Sequence, residues 1–419
     1  MNRCFACACV WLLSVGCSNS DPDPITGSKG GAAGSAGSPA AQAGGGSSNV
    51  AGSGPAGGAG NAAGAAPVGG AGSGNVAGSG GTPGSAGKPG SGGSAGNPGS
   101  AGNPGSAGAA GAATGGSKCS GGPFTFTPPT GTASKVAGTP PDDTFNKDAW
   151  TNVEGPVWIG DALYFSEMTN SNSKPPSRIL KIASGGAVSI FAPDAGSNGL
   201  AVDGSGNLIA AVHKDGSISQ ISLTSGAATP LVSMYMGKPF TSPNDLAIRS
   251  DGTIYFSDPS YQNSANPQGA QRLYHVTPGS TRTVSAIADA PIPPNGVTLS
   301  PDEKTLYVSA NNGGLKKFSV MTDGSLSAAS DFVAGSGGDG MAVDCAGDLF
   351  VTGNDTATVR VYSPAGALLT TIQLASGAGK TTNVAFGGAD HKTLYITAQG
   401  TVAERGVYSI ALSVPGFPY

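Results

Sequence analysis

Ser242-Pro243-Asn244-Asp245-Leu246-Ala247-Ile248-Arg249-Ser250-Asp251-Gly252-Thr253-Ile254-Tyr255-Phe256-Ser257-Asp258-Pro259 contains two short apolar runs on either side of a Ser-Asp-Gly turn. Leu246-Ala247-Ile248 and Ile254-Tyr255-Phe256 have the length and residue types of two strands joined as a hairpin. Asn244 stands just before the first strand, at its mouth.

The same unit recurs along the chain. Glu154 leads to Leu163-Tyr164-Phe165, Asn198 to Leu208-Ile209, and Asn295 to Leu306-Tyr307-Val308. Asp339 leads to Leu349-Phe350-Val351 and Asn383 to Leu394-Tyr395-Ile396. From Glu154 onward, the six polar lead residues fall 44, 46, 51, 44 and 44 residues apart. A repeat of that length with several short strands per unit is a propeller blade, and six blades close into a ring. The expected fold is therefore an all-β six-bladed propeller over about 118–419. Each lead residue should sit at one end of an innermost strand, beside the central channel.

The first part of the chain is a different polymer. Arg3 and the apolar run to Val15 have the form of a signal peptide over 1–16. Ser14-Val15-Gly16-Cys17 is similar to a bacterial lipobox, so Cys17 is the expected site of acylation, with ordinary cleavage to a soluble secreted protein as the alternative. Residues 17–117 are dominated by Gly, Ala, Ser, Pro and Asn, and no aromatic residue occurs between Trp11 and Phe124. Such a segment cannot bury enough apolar surface to offset its ordering entropy, so a disordered tether is expected. Its Gly-x-y run from Gly78 to Gly111 has the collagen register. The run is short and poor in proline, and fits tandem duplication of a flexible unit better.

Cys119 and Cys345 remain once the leader cysteines and Cys17 are set aside, and in an oxidising compartment they should form a disulfide. A formal net charge of −4 and the lack of a Lys/Arg cluster exclude a nucleic-acid partner. No apolar run is long enough to span a bilayer, leaving the lipid as the only expected membrane contact. The expected location is the bacterial cell envelope, and the expected state is a monomer.

The six lead residues are two carboxylates and four carboxamides. All offer hard oxygen atoms, which suits calcium or magnesium and does not suit zinc or copper. Taken one at a time, Asn before Gly is an ordinary turn signal. Six at one register instead point to a site for one divalent cation.

Several stretches together resemble the SMP-30/gluconolactonase family. They are Glu154-Gly155-Pro156-Val157-Trp158, Ser242-Pro243-Asn244-Asp245-Leu246, Pro294-Asn295-Gly296-Val297, Asp339-Gly340-Met341 and Thr382-Asn383-Val384-Ala385-Phe386-Gly387-Gly388. The resemblance implies a six-bladed propeller with one cation, usually calcium, held by Glu154, Asn244, Asn295 and Asp339. It also implies hydrolysis of sugar lactones; a related branch hydrolyses organophosphates. Asp339, both ligand and carboxylate, is the candidate to handle the proton. Asn198 and Asn383 share the ring position without being family ligands and are candidates to hold substrate or water. His213 follows the strand of the second blade and is either a mouth residue or a surface one. Asp258 is either an acid behind the ligands or a strand terminator. Two departures bear on the substrate. Lys214–Gln220 stands where arginines are usual, and Glu167 stands where the family has Asp. An esterase or organophosphate hydrolase on the same site, or a non-catalytic binding propeller, are the competing functions.

Overall fold

The computed structural model describes residues 119–138, 151–169, 174–183, 186–288, 290–310, 313–335 and 337–417. The leader, Cys17 and the tether lie outside the described residues.

Six four-stranded antiparallel sheets follow one another. Their innermost strands are Thr151–Ile159, Ser197–Val202, Leu246–Ile248, Pro294–Leu299, Met341–Val343 and Lys380–Gly387. In blades 1 to 5 the chain runs outward from there through three further strands. The sixth blade is built from both ends of the domain. Lys380–Gly387, Thr393–Gln399 and Gly406–Ala411 come from the C-terminal end, and Ser134–Ala137 supplies the outermost strand. The ring is thus closed by pairing of early with late sequence. Thr382 adds a hydrogen bond from its Oγ1 to the Val153 carbonyl, joining blades 6 and 1. No helix occurs among the described residues.

Period-2 alternation puts one face of each sheet against its neighbour, so the core is divided among the blades. Six buried clusters result, each shared by successive blades. Val157, Tyr164 and Ile179 meet Leu200, Leu208 and Ala210, for example, and Val407 with Ala137 meets Val153, Leu163 and Phe165 at the closing junction.

The inner strands crowd at the axis, which explains the glycine that follows most lead residues. A Cβ on Gly155 would lie 2.3 Å from the Asn198 carbonyl, and one on Gly296 would lie 2.2 Å from the Asp339 carbonyl. Both contacts are with backbone, so no side chain can be fitted there. The strand register also breaks at this point, between Glu154 and Val157, Ser197 and Leu200, Pro294 and Val297, and Thr381 and Asn383. A bulge leaves backbone groups without ladder partners. Buried hydroxyls three residues into the second strand take up several of them. Ser257 accepts from the Asp245 N–H at 3.1 Å, Ser309 from Gly296 at 2.8 Å and Thr397 from Asn383 at 3.1 Å. Thr352 donates to the Gly340 carbonyl at 2.8 Å.

The structure joins Cys119 to Cys345, with Cα atoms 5.4 Å apart across 226 residues of sequence. The bond fixes the N-terminal arm to the first turn of blade 5, where Phe126 also packs edge-on against Phe350. Cross-links of this kind stabilise by about 2–4 kcal/mol. Cys345→Ser, or added reductant, is expected to lower the melting temperature by several degrees while leaving the fold intact by circular dichroism. Equal melting with and without reductant would contradict that expectation.

Candidate functional site

Four of the six lead residues line one cavity of about 570 Å3 at an end of the channel: Glu154, Asn244, Asn295 and Asp339, from blades 1, 3, 4 and 5. Its rim is polar and uncharged. Asn152 and Thr169 come from blade 1, Ser260, Tyr261, Gln262 and Ser264 from a loop of blade 3, and Asn354 and Gln399 from blades 5 and 6. Beneath these residues the channel narrows to a mainly apolar space lined by Val157, Leu200, Leu246, Val297 and Met341.

The floor is electrostatically unbalanced. Glu154 and Asp339 are both 6 % exposed. Burial first, and repulsion from neighbouring carboxylates second, hold both well above the usual carboxylate range. For Glu154 the repelling groups are Asp339 and Asp245, and for Asp339 the group is Asp245. Hydrogen bonds from Asn383 and the Gly155 N–H offset part of this at Glu154, and one from Asn295 does so at Asp339. No Lys, Arg or His lines the cavity among the described residues. Buried acids without a cationic partner, flanked by two amide oxygens, fit a hard divalent cation. Among the described residues no three His, Cys, Asp or Glu side chains group as metal ligands. The candidate set is instead two carboxylates with two carboxamides.

The other expected site residues lie elsewhere. Asn383 lines the space one layer down in the channel and not the cavity, and its amide bridges Glu154 and Asp245. Asn198 is buried, lines neither space, and keeps an unpartnered Nδ2. In its blade Ala211 occupies the position that carries a hydroxyl in the other five. His213 is fully buried and at neither the mouth nor the surface. Its Nε2 lies 2.9 Å from the carbonyl of Pro175, a rim residue, and burial lowers its pKa to about 4. Asp258 lies behind the cavity and accepts the backbone N–H groups of Thr241 and Ser242 at 2.9 and 2.6 Å. It thereby holds the turn that delivers Asn244, and burial raises its pKa to about 7. Glu167 is buried against Arg178 at 2.5 Å and so is spent on an internal ion pair.

Asp245 was not singled out from the sequence. It occupies the place that glycine holds in four of the other blades, and its carboxylate therefore projects into the channel. Its Oδ2 accepts the Val297 N–H at 3.0 Å, and burial pushes its pKa to about 7. Of the two exceptions to the glycine pattern, Asp245 and Val384, Asp245 is the one that carries a charge, and that was the available signal.

The SMP-30/Gluconolactonase/LRE-like region family matches residues 153–400. A gluconolactonase of Zymomonas mobilis is 31% identical over 179 residues, 37% of this chain and 48% of that protein. The lactonohydrolase oryL of Aspergillus oryzae is 29% identical over 183 residues, 38% of this chain and 41% of that protein. The chain thus spans about half the length of the curated relatives it matches. Among solved structures, a gluconolactonase of Xanthomonas campestris superposes with a TM-score of 0.54 at 29% identity, over 70% of this chain and 100% of that one. The calcium-binding regucalcin of Agrobacterium tumefaciens shares the fold, with a TM-score of 0.52 at 16% identity, over 68% and 96% of the two chains. The match over 153–400, which contains all six lead residues, places this chain in the SMP-30/gluconolactonase/LRE-like family.

Proposed function

We propose that the protein is a metal-dependent hydrolase that opens a sugar lactone, with Glu154, Asn244, Asn295 and Asp339 holding one divalent cation, calcium in the first instance. The observation that carries this is the buried pair Glu154 and Asp339, set beside two carboxamides on the floor of a cavity that has no cationic side chain in its lining. A cation held there would polarise the lactone carbonyl and lower the pKa of a nearby water. Asp339 would take the proton from that water: both acids line the cavity, and Asp339 is the less engaged of the two, with one hydrogen bond from Asn295. Glu154 is engaged by Asn383 and the Gly155 N–H, and so serves to bind. The rim of amides and hydroxyls, including Asn152, Ser260, Gln262 and Asn354, suits a polyhydroxylated ligand, whose every hydroxyl needs both a donor and an acceptor. The names of the relatives support the same chemistry. The enzyme would act outside the cytoplasm, lipid-anchored at Cys17, and the Cys119–Cys345 bond supports an oxidising compartment.

The test is proton release by the full chain in millimolar calcium, on sugar lactones, aliphatic lactones, aryl esters and phosphotriesters. Sugar lactones are expected to give the highest kcat/KM. Preference for a phosphotriester or an aryl ester would replace the lactonase assignment, and inactivity on the whole panel would leave a binding propeller.

A further inference from the structure

Tyr261 stands apart among the residues of the cavity. It is one of the lining residues, yet its hydroxyl is buried and has no hydrogen-bond partner. An unpartnered buried hydroxyl costs about 1–3 kcal/mol, so it is retained where something else compensates. Burial first, and the charges of Asp339 and Glu154 second, hold its proton more tightly than in a free phenol, so it stays a donor. The ring is also held by a clamped loop. Gln262 exchanges hydrogen bonds with Ser242, from the Ser242 Oγ to its Oε1 at 2.6 Å and from its own N–H to that Oγ at 3.2 Å. Asn263 donates to the Thr241 carbonyl at 2.9 Å, and the turn at Thr241 and Ser242 is itself fixed by Asp258. A donor without a partner, on a rigid support beside the acids, is prepared for an acceptor that arrives with the substrate.

On the lactonase reading above, we infer that the Tyr261 hydroxyl is a catalytic hydrogen-bond donor to the substrate oxygen on which negative charge develops during ring opening. In that reaction water adds to the carbonyl carbon and the ring C–O bond breaks. The proton lost by the water ends on the released ring oxygen, giving a hydroxy acid with nothing else consumed. The Tyr261 proton stays on Tyr261 throughout. With no Lys, Arg or His in the lining, this hydroxyl supplies the fixed donor that a cationic side chain supplies in other hydrolytic sites.

The experiment compares the full chain with Tyr261→Phe on the best sugar lactone of the panel, in saturating calcium. Removing one preorganised donor costs about 10²–10³-fold in turnover. The expected result is a kcat about 10²-fold lower with KM within about threefold, and calcium affinity by calorimetry unchanged. The melting temperature should equal or exceed that of the parent, because the substitution removes an oxygen that has no partner in the folded protein. A kcat within twofold of the parent overturns the inference, and so does a rise in KM alone. A parallel loss of calcium affinity would assign the hydroxyl to the metal site. A melting temperature lowered by several degrees would assign it to the fold. A parent inactive on every lactone fails the lactonase reading itself and takes this inference with it, which separates the two failures.

Discussion

Asp339→Asn is expected to lose at least about 10²–10⁴-fold in lactone turnover, the range that a positioned acid–base group supplies. The substitution keeps the size and planarity of the side chain and one carbonyl oxygen to face a cation. It removes the capacity to accept the proton. Asp339 is suited to that task by its surroundings: burial and nearby Asp245 raise its affinity for a proton, and one hydrogen bond from Asn295 keeps it oriented. Initial rates at saturating lactone, with calcium binding followed separately, give the answer. A variant as fast as its parent would show that the proton goes elsewhere, with Asp245 then the next carboxylate to replace.

Glu154→Gln is expected to change stability in opposite directions with and without calcium. Folding raises the pKa of Glu154 above its ordinary value of 4.5, so the native state retains a proton that the unfolded chain has lost. Stability therefore falls as pH rises from about 4 towards the folded-state pKa, and the metal-free parent carries this penalty at pH 7. Glutamine has no charge to bury, so in excess chelator the variant should melt above the parent. Calcium reverses the order, because binding at about 100 times the dissociation constant stabilises the native state by about 2.7 kcal/mol, and the variant binds it less tightly. Turnover should recover partly as calcium is raised. If chelator leaves the melting temperature of the parent unchanged and the variant melts lower in both buffers, no cation is held at Glu154.

The blade count was legible because a propeller repeats its turn chemistry. A polar lead residue, an apolar strand and a Gly-containing turn return at nearly constant spacing from Glu154 to Asn383. The six lead positions were legible for the same reason, and the family resemblance singles out among them Glu154, Asn244, Asn295 and Asp339, the four that line the cavity. Closure by Ser134–Ala137 was not, since a four-residue edge strand with three exposed positions carries no periodicity of its own. Equal register also does not guarantee equal depth: Asn383 and Asn198 share the lead position and line different surroundings from Asn244. Strand direction alone leaves His213 either at a mouth or on the surface, and the burial behind Pro175 depends on a loop of another blade. Tyr261 also has a signal in the sequence. The spacing from Asn244 to Asn295 is the longest, at 51 residues, and the loop between Asp258 and Arg272 carries Ser260, Tyr261, Gln262 and Ser264 into the cavity. Ser166, Ser257, Ser309, Thr352 and Thr397 were equally visible as the third residue after each aliphatic strand start. Their role became clear only once the bulged backbone beside them was known.

Lactone hydrolysis by the full chain, followed while free calcium is titrated from excess chelator to millimolar, tests the metal-centred site most directly. Activity should be absent in chelator, rise with a single saturating dependence, and return fully when calcium is restored. Hydrolysis that continues undiminished in excess chelator would show that Glu154, Asn244, Asn295 and Asp339 do not work through a metal.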